Sequence, residues 1–369
     1  MFTTNLDQSV NWISFSKKGR PYGFLFFILS VLAVVPACNH EEADPSVPIS
    51  FQNPSHFPDP VYKMDHNKVT QSGFELGRAL FYETKLSKDN SISCGSCHQQ
   101  SSAFTHHGHS VSHGIGDKLG TRNSPPVMNL AWSNAFMWDG GVFDLDFFSI
   151  APITNPIEMG EEVKDVVEKL KKDPVYPPRF QKAFGSTEIT STKMFLALSQ
   201  FMVMCISADS KYDQWKLGKG AVLSEEEQDG YRLVTEKCGG CHSGELFTDN
   251  KFHNNGIGQG RLVADEGRAK ITLSPLDNRK FKTPSLRNLK YTAPYMHDGR
   301  SFDLNAVITH YTSQVKESAT LDSLLRTPSG TTGIELTPVE VDHILLFLNT
   351  LNDENFIRNY ELSEFAVKK

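Results

Sequence analysis

The chain has 369 residues, 39% of them hydrophobic, which is enough for two domains with separate cores. Its formal net charge of −6 is mild and gives no sign of nucleic-acid binding, so no nucleic-acid partner is expected. The sequence contains no long run of like charge that would indicate an interaction tail.

The first predicted element is an export signal. The basic stretch KKGR precedes the apolar run FLFFILSVLAVVPA, residues 24–37, which is short for a membrane span but suits a signal-peptide core. An alanine then precedes Cys38, which resembles a bacterial lipoprotein signal, in which the cysteine is lipidated. Residues 1–38 are therefore predicted to be a signal peptide and residues 39–54 a polar tether. An ordinary export signal and a short uncut anchor are the alternatives.

The first chemical motif is CGSCH, which follows a predicted helix over residues 72–87. Cys-x-x-Cys-His is the attachment signature of c-type haem. Cys94 and Cys97 are expected to form thioethers to one haem, and His98, on the same turn, is expected to bind its iron.

A lone cysteine, Cys205, lies in the apolar run KMFLALSQFMVMCISAD, which is predicted to be helical. A thiol in such a setting is usually a small core residue. No function is predicted for it.

The second chemical motif is CGGCH, with Cys238, Cys241 and His242 in the same three roles. A predicted helix leads into it from Ser224, and Glu227 completes a capping box. A zinc site would need the two cysteine pairs close together in sequence, and their wide separation disfavours it. Two covalently bound haem c groups are therefore predicted.

The last predicted helix is TPVEVDHILLFLNTL. Thr337 stands at its N-cap, Pro338 at its first position and Glu340 at its third. Apolar residues then recur at helical spacing: Val341, Ile344, Leu345, Leu348 and Leu351.

These elements predict a mainly α fold with two cytochrome c-like domains, each carrying one covalently bound c-type haem. The N-terminal domain is predicted over residues 55–210 and the C-terminal domain over residues 211–369.

Residues 70–352 resemble the bacterial di-haem cytochrome c peroxidase family, which includes the MauG-type enzymes. The resemblance rests on several motifs in the same order: LSKDNSISCGSCH, GTRNSP, FMWDGG, PITNPIEMG, FKTPSLRNLKYTAPYMHDGR and ILLFLNTL. It implies that the first haem reacts with peroxide and that the second haem receives electrons.

The resemblance also implies catalytic residues at the first haem. Glu158 occupies the position of the distal acid, and Trp138 occupies the position of a tryptophan between the haems. A carboxyl group in a mostly apolar pocket suits proton transfer, because burial raises its pKa. Pro152 falls at another pocket position, and Phe148 stands where the family often has a glutamine, so one hydrogen-bond donor is missing.

One calcium ion is implied between the domains, with Asn123, Thr292 and Pro294 at the positions of its ligands. A histidine caps the first iron in many di-haem peroxidases. His113 is the nearest histidine here, although ungapped counting places Ile115 at that position. If no histidine binds, the first iron has an open position without prior reduction.

The second haem takes a methionine in the peroxidases, fourteen residues after the histidine of the PY-x-HDG motif. The same count from His297 reaches Tyr311, and MauG-type enzymes place a tyrosine there. His310 would point elsewhere on a helix, because neighbours diverge by about 100°. Tyr311 is therefore the predicted ligand of the second iron, with Met296 and His310 as alternatives.

The function implied by the resemblance is the reduction of hydrogen peroxide to water by electrons from a small periplasmic cytochrome c or copper protein. The first alternative is a MauG-like oxidase acting on a protein or a small molecule, and the second is a non-catalytic di-haem electron carrier. The expected location is the periplasm, with the lipidated N-terminus as the only membrane contact. The sequence leaves the oligomeric state open, and a homodimer is one option.

Overall fold

Helices and the turns between them form most of the described part of the chain, which comprises residues 49–259 and 264–368 of the computed structural model. The α-helices found there are α1 Gln71–Phe81, α2 Cys94–Cys97, α3 Leu145–Phe148, α4 Ile150–Thr154, α5 Val163–Lys172, α6 Tyr176–Phe184, α7 Ser191–Val203, α8 Lys211–Lys216, α9 Glu225–Leu233, α10 Ala269–Thr272, α11 Leu304–Thr309, α12 Pro338–Thr350 and α13 Glu354–Arg358. Two short strands, β1 Phe252–His253 and β2 Phe281–Lys282, pair antiparallel. The mainly α expectation is confirmed, whereas Cys38 lies outside the described residues.

The capping signals of the sequence are found at the predicted helix starts. Ser224 and Glu227 form a reciprocal capping box at α9, and Thr337 and Glu340 form another at α12. The helix predicted over residues 72–87 is shorter than expected, because α1 ends at Phe81 and only a 3-10 turn follows, at Thr84–Leu86.

Two helices change into π-helices near their C-terminal ends. α9 continues into a π-helix at Val234–Cys238, which reaches the second haem-attachment motif. α11 continues into a π-helix at His310–Gln314, which contains Tyr311, the predicted ligand of the second iron, and His310, one of the alternatives. In a π-helix the backbone hydrogen bonds join residues five apart, whereas in an α-helix they join residues four apart. Each π-helical segment therefore holds one residue more than the corresponding α-helical turn.

Two helix pairs pack closely because a glycine lies at each crossing. In α1, a side chain at Gly77 would place its Cβ 1.9 Å from the carbonyl oxygen of Ala197 in α7. In α9, a Cβ at Gly230 would lie 2.0 Å from the carbonyl oxygen of His343 in α12. Each pair therefore requires glycine at its contact.

Two hydrophobic clusters surround these helix pairs. The α1–α7 pair belongs to the larger cluster, which includes Leu80, Phe81, Phe104, Phe201 and Phe356. The α9–α12 pair belongs to the second cluster, which includes Tyr212, Leu233, Phe247, Ile344, Phe347, Leu348 and Leu351. Three residues of the predicted α12 stripe are thus in the core, whereas Val341 and Leu345 are only half-buried.

The C-terminal residues return to the larger cluster. Phe356 and Leu362 are buried in it, and the Tyr82 hydroxyl donates to the Leu362 carbonyl at 2.8 Å. Cys205 is fully buried in the same cluster, which confirms that it is a core residue. It lies just beyond α7, however, because that helix ends at Val203.

Candidate functional site

The first haem-attachment motif forms α2, with Ser93 as its N-cap. Cys94 and Cys97 are half-buried free thiols, and burial raises the pKa of Cys94 to about 12. The Nδ1–H of His98 donates to the Phe104 carbonyl oxygen at 2.8 Å. This bond fixes the ring and leaves Nε2 as the metal-binding nitrogen, which is the usual arrangement of a histidine ligand.

The second motif repeats this geometry. The Nδ1–H of His242 donates to the Phe247 carbonyl oxygen at 3.2 Å. Both acceptor residues have positive φ, +61° at Phe104 and +50° at Phe247. Burial lowers the pKa of both His98 and His242, which favours the neutral imidazole that a metal ion requires.

The two acceptor phenylalanines cannot be recognised from the sequence. Each accepts the histidine N–H through its backbone carbonyl, so the type of side chain does not indicate the role. The Cys-x-x-Cys-His signature identifies the histidine but not its hydrogen-bond acceptor.

A cavity of about 400 Å³ adjoins the first motif. Its lining includes the residues that the resemblance places at the first haem: Cys94, Cys97, His98, Trp138, Phe148, Pro152 and Glu158. The structure therefore brings the predicted distal acid and the first attachment motif to one cavity.

Three acidic residues close together in sequence have different surroundings. Glu158 lines the first cavity, and desolvation by burial raises its pKa above the ordinary value. Glu161 is buried but forms an ion pair with Lys169 at 2.5 Å. Glu162 is exposed and precedes α5. Of these three, Glu158 alone lines the cavity.

A second cavity, of about 360 Å³, adjoins the second motif and is lined by Cys238, Cys241, His242, Met296 and Tyr311. His310 is buried beside it, and its Nε2 lies 3.0 Å from the Asn255 carbonyl oxygen. Burial raises the pKa of Tyr311 to about 12, so without a cation nearby the phenol is neutral at pH 7. The structure thus places Tyr311 at the cavity wall and His310 outside the cavity lining.

Trp138 and Asn123 line both cavities. The indole Nε1–H of Trp138 donates to the Asn123 carbonyl oxygen at 2.8 Å, and the Asn123 N–H donates to the His297 carbonyl oxygen at the same distance. Thr292 and Pro294, the other predicted calcium ligands, line the second cavity. The predicted bridging residue therefore lies in the wall between the two cavities.

His113 also lines the first cavity, but both of its ring nitrogens have partners. Its Nδ1 lies 3.0 Å from the Asp117 carboxylate, and its Nε2 lies 3.1 Å from Nδ1 of His109. His106 stacks on His109 with ring centroids 4.1 Å apart. A role of His113 as an iron ligand would need one of the first two contacts to break, because an imidazole binds iron through a single nitrogen, and it stays a prediction.

The chemistry of the two cavities fits haem c. Each one combines two free thiols, a histidine whose ring is fixed through Nδ1, and a volume of several hundred Å³. Residues 49–259 and 264–368 contain no cluster of three histidine, cysteine or acidic side chains arranged for a bare metal ion. The donor set thus favours a covalently held porphyrin over a zinc site.

No helix within the described ranges is both long enough and apolar enough to cross a bilayer.

Comparisons with known proteins agree with this chemistry. A family model described as di-haem cytochrome c peroxidase matches residues 71–221. The methylamine utilization protein MauG of Methylorubrum extorquens is 36% identical over 309 residues, which cover 82% of this chain and 84% of that protein. The cytochrome c551 peroxidase of Nitrosomonas europaea is 35% identical over 240 residues, which cover 63% of this chain and 71% of that protein.

A solved structure is also similar. The crystal structure of a MauG-like protein associated with microbial copper homeostasis shares 32% sequence identity, with a TM-score of 0.78. The match covers 85% of this chain and 99% of that chain. With two haem-attachment motifs, each beside its own cavity, and these relatives over most of its length, the chain belongs to the di-haem cytochrome c peroxidase family.

Proposed function

We propose that the protein reduces hydrogen peroxide to water with electrons from a small periplasmic cytochrome c or copper protein. The observation that carries this proposal is Glu158 in the first cavity. Two carboxyl groups from the described residues line that cavity, and Asp139 is paired with Arg122 at 2.6 Å. Glu158 has no such basic partner among them, and its raised pKa suits proton transfer.

The reaction consumes one peroxide, two electrons and two protons and releases two waters. Cys94, Cys97 and His98 would hold one haem and the second motif would hold the other, and the bound haems would supply the iron chemistry of peroxide reduction and electron transfer. Glu158 takes a proton from one peroxide oxygen and delivers it to the oxygen that leaves as water. Trp138 lines both cavities, so an electron path between haems bound in them would run beside its indole.

Steady-state kinetics with the purified holoprotein test this proposal. A reduced c-type cytochrome, or a reduced copper protein, is mixed with hydrogen peroxide. We expect two donor molecules to be oxidised for each peroxide consumed. Absence of peroxide-dependent oxidation with both kinds of donor would overturn the proposal.

A MauG-like oxidase is a second candidate, favoured by Tyr311 at the second cavity. An anionic phenolate ligand would stabilise ferric iron and lower the reduction potential of the second haem, whereas a methionine would raise it. A relative named MauG at 36% identity supports this reading as well. Glu158 in the first cavity disfavours a pure electron carrier.

The reduction potential of the second haem distinguishes these candidates. A potential too low for a cytochrome c donor to reduce that haem would favour the oxidase, and a readily reduced second haem would favour the peroxidase. Potentiometric titration followed by absorbance measures it directly.

Further proposals concern the cofactors and the location. Two cytochrome c-like domains, each with one haem c, account for the two motifs and the two hydrophobic clusters. A calcium ion bound by Asn123, Thr292 and Pro294 would lie at the wall of the second cavity. Lipidation of Cys38 would hold the protein at a membrane facing the periplasm.

A further inference from the structure

A third cavity lies beside the two haem cavities. Its volume is about 100 Å³, and Trp138 lines all three cavities. Lys282, the last residue of β2, lines both this third cavity and the second haem cavity. The proposed peroxide chemistry makes no use of this lysine.

Lys282 is held at its backbone and at its ammonium group. Its backbone N–H donates to the Trp138 carbonyl oxygen at 2.8 Å, and its Nζ donates to the Ser133 hydroxyl at 3.2 Å. The nearby Lys280 instead pairs with the Asp277 carboxylate at 3.1 Å, and the described part of the chain gives Lys282 no counterpart to that ion pair. The Lys282 cation is therefore half-buried with a neutral hydrogen-bond partner.

The surroundings allow Lys282 to exchange its proton. Burial lowers its pKa to about 8, and the nearby Asp249 carboxylate acts in the opposite direction. Asp249 also lies 2.9 Å from Nε2 of His253, so its charge is partly compensated. The buried Oδ1 of Asn250, which lines the third cavity, has no protein partner, and the cavity is large enough for water that could carry the proton.

We infer that the Lys282 cation raises the reduction potential of the second haem and that loss of its proton lowers that potential. Reduction adds one negative charge to the haem, and a nearby half-buried cation stabilises that charge. By linkage, reduction must raise the proton affinity of Lys282. A tenfold rise in that affinity corresponds to about 59 mV for a one-electron couple. The inference rests on the proposed function only in requiring a haem in the second cavity.

Potentiometric titrations of the holoprotein test this role from about pH 6 to about pH 10, a range that brackets the lowered pKa but not that of an unperturbed lysine. Lys282→Met removes the charge and keeps the length of the side chain, whereas Lys282→Arg keeps a cation that does not titrate. Lys280→Met is the matched control, because it removes an equal charge two residues away.

The parent potential of the second haem should fall as the pH rises through about 8. In Lys282→Met it should already be low at neutral pH and should lack this step. In Lys282→Arg it should stay high across the range, and Lys280→Met should follow the parent. The first haem should change less throughout, because Lys282 does not line its cavity.

Two results would overturn the inference: a Lys282→Met protein with the parent's potential and pH profile, or an equal fall in Lys280→Met. If Lys282→Met does not retain both haems, Lys282→Gln replaces it in the same titration. The potentials are measured without peroxide or donor protein, so failure of the peroxidase assay and failure of this inference are separate outcomes.

Discussion

Glu158 and Glu161 are three residues apart, and their burial is compensated in different ways. The Glu161 carboxylate forms an ion pair with the Lys169 ammonium. Glu158 lies at the first cavity, where desolvation raises its pKa and a hydrogen bond with Asn155 acts in the opposite direction. The same chemical group therefore forms an ion pair at one position and, at the other, lines the cavity where we propose that it carries a proton.

Glu158→Gln keeps the shape of the side chain and removes the titrating proton. We expect peroxide turnover to fall by about a hundred- to ten-thousand-fold, the usual worth of general acid–base catalysis, with both haems retained. The pH profile of kcat/KM should also lose the acid limb that lies above the ordinary glutamate value. Glu162→Gln, at an exposed position, is the control. Unchanged turnover in Glu158→Gln would show that another group moves the proton.

Tyr311→Phe keeps the aromatic ring and removes the oxygen at the second cavity. We expect the coordination of the second haem to change and its potential to rise, because an anionic donor is lost. Tyr311→Met should also raise that potential. His310→Ala should leave the absorption spectrum of the second haem nearly unchanged. The opposite pattern, with His310→Ala altering the spectrum and Tyr311→Phe leaving it intact, would assign the ligand to His310.

At the scale of elements, the sequence predicts features set by residues a few positions apart, but not features set by distant contacts or by backbone turns. The capping boxes at Ser224 and Thr337 involve residues three apart, so the sequence predicts both helix starts. The strands β1 and β2 have two residues each, too few for any periodicity. The carbonyl of Phe104 reaches His98 only because the backbone turns through a positive φ, and no residue type encodes that turn uniquely.

Thr337→Ala should weaken α12 without touching either cavity. The Thr337 hydroxyl accepts from the Glu340 N–H at 3.3 Å, and loss of such a cap costs about 1 kcal/mol of the free energy of unfolding. Chemical unfolding of the holoprotein measures the change. Thr337→Ser keeps the hydroxyl and should behave like the parent, so an equal loss in both variants would point away from capping.

At the scale of the whole molecule, the segment after α12 packs near the first helix, α1. The segment after α12 packs on the larger cluster, and the buried Arg78 of α1 donates to the Glu361 carbonyl oxygen at 2.5 Å. Contacts between residues 283 positions apart leave no local pattern, so the sequence could not predict them. The predicted boundary at residue 210 assigns this segment to the C-terminal domain, yet it contacts α1 of the predicted N-terminal domain.

All the proposals for this protein depend on the predicted number of haems. The pyridine haemochrome assay should find two c-type haems per chain. Replacing Cys94 and Cys97 together with alanine should leave one haem, held by the second motif. A single haem in the parent protein would contradict the assignment of both motifs.

The proposed lipidation of Cys38 would set where the molecule resides. With Cys38 intact, we expect the protein to sediment with membranes after cell lysis, and Cys38→Ala should block lipidation and release it. Mass spectrometry of the mature N-terminus is the direct check. A mature chain that starts after Cys38 and carries no lipid would rule out the lipoprotein.

The π-helix at His310–Gln314 has an evolutionary consequence. An α-helix becomes a π-helix when one residue is inserted, and loss of that residue would rotate the flanking side chains by about 100°. A single-codon deletion next to Tyr311 would therefore turn a different neighbour toward the second cavity and exchange the predicted iron ligand in one step. Relatives that differ by such an indel would misalign by one position at the predicted ligand of the second iron.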